Sequence, residues 1–272
     1  MYDRVVDRAA EHGEPADLAL RDWLLVGLSF SAGMYEAICF LTFGKVFAGF
    51  QTGNLMLLGV GIAGTRPPAG PNPVTVIISL AAFAAGVALA VPILKAFGRG
   101  EEDDETAPTV HQVWPRRVSV ALAIGLIPQA AFLAVWITTA SPASLSDILI
   151  ALAALAMGLQ INAARSLHVP GISTTAFTAT YVGLVTGVVI RTLTGPSAWR
   201  LTATIVGLAA GGFFGDWMLS HAHPYAPVVP AVVTAVAIAI AWVALKPRAT
   251  AGPVGEPGLP AEQAVKSWWI KQ

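Results

Sequence analysis

Between Trp23 and Leu245 the charged residues fall in short clusters, separated by apolar runs about as long as a bilayer crossing. A spanning helix needs about 20 such residues, because the hydrocarbon core is about 30 Å thick and each residue advances 1.5 Å. Five runs lack charge altogether: Val74–Leu94, Val118–Leu145, Ile148–Ala164, Leu201–Gly215 and Tyr225–Leu245. A sixth, Trp23–Phe43, is interrupted by one acid, Glu36. Only 12% of the 272 residues are charged, against about 25% in soluble domains. Open sheet edges cannot be satisfied in lipid. The chain therefore reads as an all-α polytopic transmembrane bundle whose principal partner is the lipid bilayer.

Spanning helices are expected near 23–44, 74–96, 117–139, 145–166, 198–219 and 226–246. Trp23, Trp114, Trp136, Trp199, Trp217 and Trp242 lie at or near these limits, where indoles favour the interface. The segment 1–22 carries six acids and three arginines and reads as a cytoplasmic arm rather than a signal peptide. From Pro247 onward Pro, Gly and Ala dominate, which predicts a flexible tail over 248–272.

Two further apolar segments are awkward. Thr52-Gly53-Asn54 opens Leu55–Gly64, where twelve residues reach only about 18 Å. Ser173–Leu193 is longer but begins with Thr174, Thr175, Thr178 and Thr180. A shift of 126 positions relates the two: Ala37 meets Ala163, Thr52-Gly53-Asn54 meets Thr178-Ala179-Thr180, and Gly61 meets Gly187. The shared order of long helix, Thr-rich entry, helix, helix predicts two repeats, over 23–140 and 141–247. If both short segments are re-entrant, six spans remain. Lys and Arg then divide 14 inside (among them Arg21, Lys95, Arg116 and Arg200) against Lys45 and Arg66 outside. Eight spans divide them 10 against 6. The positive-inside rule prefers six, with both termini cytoplasmic, and three spans per repeat makes the repeats inverted.

Glu36 stands inside the first span, where an ionised carboxylate is costly unless paired or facing a polar cavity. Two readings remain open: a proton, cation or solute site, or a structural acid. Gln51-Thr52-Gly53-Asn54 combines a turn-permissive glycine with capping side chains. A half-helix starting there aims backbone N–H groups and partial positive charge into the protein, and Thr178 and Thr180 would do so from the other repeat. Gln160 and Asn162 on the fourth span could meet a solute or bridge helices. The substrate-contacting candidates are therefore Glu36, Gln51, Thr52, Gly53, Asn54, Gln160, Asn162, Thr174, Thr175, Thr178 and Thr180.

Other chemistries find little support. Zero formal net charge and the lack of a basic stripe argue against nucleic acid. Cys39 is the single cysteine, so neither an internal disulfide nor a cysteine metal cluster is expected. His221 and His223 lack a nearby third ligand. No nucleophile–base pair or phosphate loop stands out, so neither a cofactor nor an enzyme activity is expected.

At these residues the chain resembles the YoaK-like family of bacterial integral membrane proteins, whose function is undefined at family level. One half of the signature is Gly33-Met34-Tyr35-Glu36-Ala37, Phe40-Leu41, Gly44, Val46-Phe47 and Thr52-Gly53-Asn54. The other is Met157-Gly158-Leu159-Gln160, Arg165, Val169-Pro170-Gly171, Ser173-Thr174-Thr175 and Thr178. The family usually carries Asp where Glu36 stands, and T-G-T where this chain has Thr178-Ala179-Thr180. The resemblance implies a multi-pass protein of the bacterial cytoplasmic membrane and supplies no substrate. The residues themselves favour a transporter or channel-like permease for a small molecule or ion. The rival is a non-transporting scaffold or accessory subunit, in which Glu36 and the Thr-Gly-Asn turn are paired internally.

Overall fold

The computed structural model describes residues 15–65, 67, 69–96, 113–139, 142–169, 177–190 and 196–245. Thr174, Thr175, most of the arm 1–22 and the tail 248–272 lie outside the described residues. Among the described residues the regular elements are helices: α1 (Pro15–Thr42), α2 (Gln51–Ile62), α3 (Pro73–Ala96), α4 (Arg116–Thr138), α5 (Ser146–Arg165), α6 (Phe177–Val189), α7 (Pro196–His221) and α8 (Val228–Ala244). Short 3-10 turns lead into α5 and α8. Six helices, all but α2 and α6, are long and apolar enough to cross a bilayer. The chain is an all-α polytopic membrane bundle, as its charge-free runs predict.

Pro15–Asp22, expected to belong to the arm, is instead the first two turns of α1. Asp17 favours the first turn electrostatically, and Leu20 packs with Leu24, Leu25 and Leu28. The apolar stripe thus begins before the charge-free run does. At its other end α1 stops at Gly44 (φ 74°) and Lys45 (φ 65°). Their left-handed backbone turns the chain back, and Lys45 Nζ donates to Ala69 O at 3.1 Å. The exit of α1 therefore adjoins the approach to α3, and these two helices run in opposite directions.

Two backbone-to-backbone crossings hold the bundle. In the first, α1 lies parallel to α7: Gly207 meets Val26, Gly211 meets Phe30, and Gly215 meets Ala37. A Cβ on Gly33 would overlap the Leu208 carbonyl, and one on Gly211 would overlap that of Phe30. In the second, α3 lies parallel to α5. A Cβ on Gly86 would overlap the Leu155 carbonyl, and one on Gly158 would overlap that of Phe83. Such approach requires glycine and is the usual way helices associate without a hydrophobic driving force.

The remaining spans close around these pairs. α8 joins α1 through Ser31, whose hydroxyl donates to Pro230 O at 2.9 Å and lies 3.1 Å from the Thr234 hydroxyl. α4 packs on α5 and α8 and shares an aromatic cluster with α1. In that cluster Tyr35 stands edge-on to Phe132 at 5.6 Å, and Phe132 stacks on Trp136 at 5.7 Å.

Candidate functional site

The short helix α2 is placed by one carboxylate and one amide. Its twelve residues span about 18 Å, too little to cross. Its C-terminal end lies at the start of α3, with Gly61 against Pro71 and Pro73. Its N-terminal end lies deeper, since Asn54 Nδ2 donates to Ser79 Oγ at 3.1 Å. Ser79 is six residues into α3 and Glu36 six residues from the end of α1, each about 9 Å in from the helix terminus. After α1 the chain thus dips back beside Glu36 before α2 climbs out, the re-entrant course expected of it.

Glu36 ends in that dip. Its carboxylate accepts the Ala48 N–H at 2.9 Å and the Gly49 N–H at 2.6 Å, and the residue is only 4% exposed. Successive N–H groups ahead of a helix form an anion-binding nest, and here the anion is the protein's own. The N–H groups of the turn ahead of this half-helix are thus taken up by the protein itself. Thr52 and Asn54 were the expected caps, yet α2 has no side-chain cap bond of its own. The physical reason is that the helix starts at Gln51, so Phe50, which has no side-chain acceptor, is the capping residue, and Thr52 and Asn54 lie inside the first turn.

Asn54 serves the loop instead. Fully buried, it accepts the Phe47 N–H at 3.0 Å, and its Nδ2 approaches Phe47 O at 2.8 Å and Gln51 Oε1 at 3.0 Å. Ser79 also donates to Phe47 O, at 2.7 Å, and Gln51 Nε2 donates to Ala48 O at 2.7 Å. Gly53 is helical rather than turning; a Cβ there would sit 3.1 Å from the Phe47 ring. Thr52 is exposed. Glu36, Gln51 and Asn54 thus surround one hydrogen-bonded loop, Gly53 lies against its Phe47 ring, and Thr52 is exposed.

The candidates of the second half are dispersed. Gln160 Nε2 on α5 donates to Leu28 O on α1 at 3.1 Å. Asn162 Nδ2, half-buried, donates to Val87 O on α3 at 3.1 Å. Thr180 is buried in α6, while Thr178 lies in the same helix with its side chain outside the described residues. α6 packs on α7 as α2 packs on α3.

Several polar groups were not singled out from the sequence. Ser79 and Gln129 are polar interruptions of apolar spans, the signal that could have found them. Gln129 follows Pro128 inside α4. Among the described residues, Tyr35 OH, Gln129 Oε1 and Gln160 Oε1 are buried without a hydrogen-bond partner. At the bundle ends, Asp22 Oδ2 on α1 lies 3.7 Å from Arg200 Nη1 on α7, and Thr75 Oγ1 on α3 donates to Asp147 Oδ1 on α5 at 2.6 Å.

Comparison with known proteins agrees with this architecture. The chain is 32% identical over 166 residues to the UPF0700 transmembrane protein YoaK of Bacillus subtilis (strain 168). The match covers 61% of this chain and spans 66% of that relative's length. No solved structure matches. The family described as protein of unknown function (DUF1275) matches residues 24–240, and the chain belongs to that family.

Proposed function

We propose that this protein is a permease for a small solute in the bacterial cytoplasmic membrane, built from two inverted halves with both termini cytoplasmic. One observation carries the reading: the two closest glycine contacts of α1 with α7 recur at matching positions between α5 and α3. A shift of 125 positions carries Gly33 onto Gly158, and Leu208 is the image of Phe83. It carries Gly86 onto Gly211, and their clashing carbonyls, Phe30 and Leu155, onto each other. The same shift carries Asp22 onto Asp147 and Thr75 onto Arg200, so the two polar clasps are images as well. This register differs by one from the 126 that aligns Thr52-Gly53-Asn54 with Thr178-Ala179-Thr180. Such an offset needs only one extra residue ahead of the short helix and its loss after it.

The pairs run in opposite directions, α1 with α7 one way and α3 with α5 the other. Inverted halves that each carry a broken, non-spanning helix are a transporter plan. Exchange of the two halves opens a central site to one face and then the other. In this reading Asp22–Arg200 clasps the cytoplasmic end, Thr75–Asp147 clasps the far end, and Glu36 anchors α2 rather than binding solute.

The scaffold reading keeps one observation in its favour, the internal pairing of Glu36 and Asn54. Thiol labelling separates the two. With Cys39 replaced by Ala, Ala32→Cys places a thiol at a buried position of α1. A permease predicts reaction with a membrane-impermeant maleimide from either face, increased from the cytoplasmic face by Asp22→Asn and from the other by Asp147→Asn. Protection from both faces in all variants would refute the permease.

A further inference from the structure

Resting on the permease reading, we infer that Tyr35, Gln129 and Gln160 form its solute site, and that the solute is small, uncharged and rich in N–H or O–H donors. Tyr35 and Gln129 are new to the site; Gln160 was a sequence candidate.

Buried polar atoms almost always have a partner, and each exception needs a physical explanation, a bound group among them. Here three such oxygens occur on α1, α4 and α5, of which α5 packs on both the others. Tyr35 meets α4 through Phe132, one turn along the helix from Gln129. Gln160 reaches α1 at Leu28, two turns from Tyr35 on the same face. Helical side chains lean toward their own N-terminus. Because α1 and α5 run in opposite directions, Tyr35 and Gln160 lean toward each other. The 125-residue shift makes these two residues images, so they flank the axis that relates the halves. A site used from both sides of a membrane belongs on that axis.

The donor set defines the class. Two amide carbonyls accept only, and a phenol hydroxyl gives or accepts. Anions are repelled by the carbonyls. The nearest carboxylate in sequence, Glu36, is turned to the Ala48 and Gly49 N–H groups and offers a solute no counter-charge. A neutral polyol or amide satisfies all three oxygens with ordinary hydrogen bonds.

The test is osmotic re-swelling of proteoliposomes, read by light scattering with glycerol, erythritol, acetamide and sorbitol, beside uptake of sodium and potassium ions. Wild type should re-swell at least threefold faster than empty vesicles in one or more of the neutral solutes. Tyr35→Phe and Gln129→Leu should remove most of that excess while melting no lower than wild type, since each deletes an oxygen that has no partner among the described residues. Three outcomes overturn the inference. If no neutral solute enters while the Ala32→Cys thiol still labels from both faces, the solute class is wrong and the permease stands. A cation flux abolished by the same variants reassigns the site to a cation. Unchanged re-swelling in variants that melt lower makes the three oxygens a structural water site. Failure of both re-swelling and labelling removes the permease reading itself.

Discussion

Glu36 accepts the Gly49 N–H at 2.6 Å, so a side chain of one spanning helix caps the turn that leads into the following re-entrant helix. Charge-assisted hydrogen bonds to a carboxylate contribute about 1.5–3 kcal/mol each, and an abandoned buried N–H costs more than the bond's net worth. Glu36→Gln should therefore lower stability by about 2 kcal/mol and expose residues 44–50 to protease. Thermal unfolding in detergent with limited proteolysis checks this. Wild-type melting and an unchanged cleavage pattern would show that the cap is dispensable.

The knot around Asn54 makes a second, graded prediction. Asn54→Leu keeps the volume but strands the Phe47 N–H and removes a donor to Phe47 O. The expected loss is about 3 kcal/mol. Thr52→Ala, two residues away and exposed, should stay within about 0.5 kcal/mol of wild type. Equal effects at the two positions would contradict the hydrogen-bond assignment.

Adjacent glycines on α7 offer an internal control. A Cβ on Gly211 meets the Phe30 carbonyl, whereas one on Gly212 meets nothing within 4 Å. Gly211→Ala should cost about 2 kcal/mol or more through overpacking, and Gly212→Ala should be neutral or slightly stabilising. Gly86→Ala, its image at the second crossing, should behave like Gly211→Ala. Unfolding midpoints of the three variants decide it.

The clasps at the two ends should be energetically separate. A double-mutant cycle on Asp22→Asn and Arg200→Gln should return a coupling of about 1 kcal/mol, as for contacting residues. Pairing Asp22→Asn with Thr75→Val, across the bundle, should be additive within about 0.5 kcal/mol. Strong coupling across that distance would mean that the ends communicate without any opening of the bundle.

How much of this was legible in the sequence follows from what each feature depends on. The spans were legible because a bilayer demands charge-free length, and Val74–Leu94 announces α3 almost to the residue. The short reach of Leu55–Gly64 likewise announced a helix that does not cross. The partner of Glu36 was not legible. Nothing in the string Ala48-Gly49 marks two N–H groups as recipients of an acid twelve residues upstream. Capping rules look for a polar side chain at the helix start, and they pointed to Thr52 and Asn54. Tyr35 escaped notice because tyrosine is ordinary in an apolar helix; its missing hydrogen-bond partner is a property of three helices together. The one-residue difference between the 126 and 125 registers was invisible for the same reason. Small residues recur so often in these helices that only the backbone contacts favour the 125 register on which the proposed repeat rests.

The glycine crossings also determine where this molecule has freedom to move. Helices whose backbones touch cannot slide without lifting apart, so α1 with α7, in contact from Gly207 to Gly215, and α3 with α5, in contact at Gly86 and Gly158, form two stiff rods. Rotamers and loops aside, large rearrangement is then confined to the seam between the rods. Tyr35 stands on one rod and Gln160 on the other, and Gln160 reaches across the seam to Leu28 of α1. A ligand lodged there would work as a wedge at the one place where the two rods are able to part.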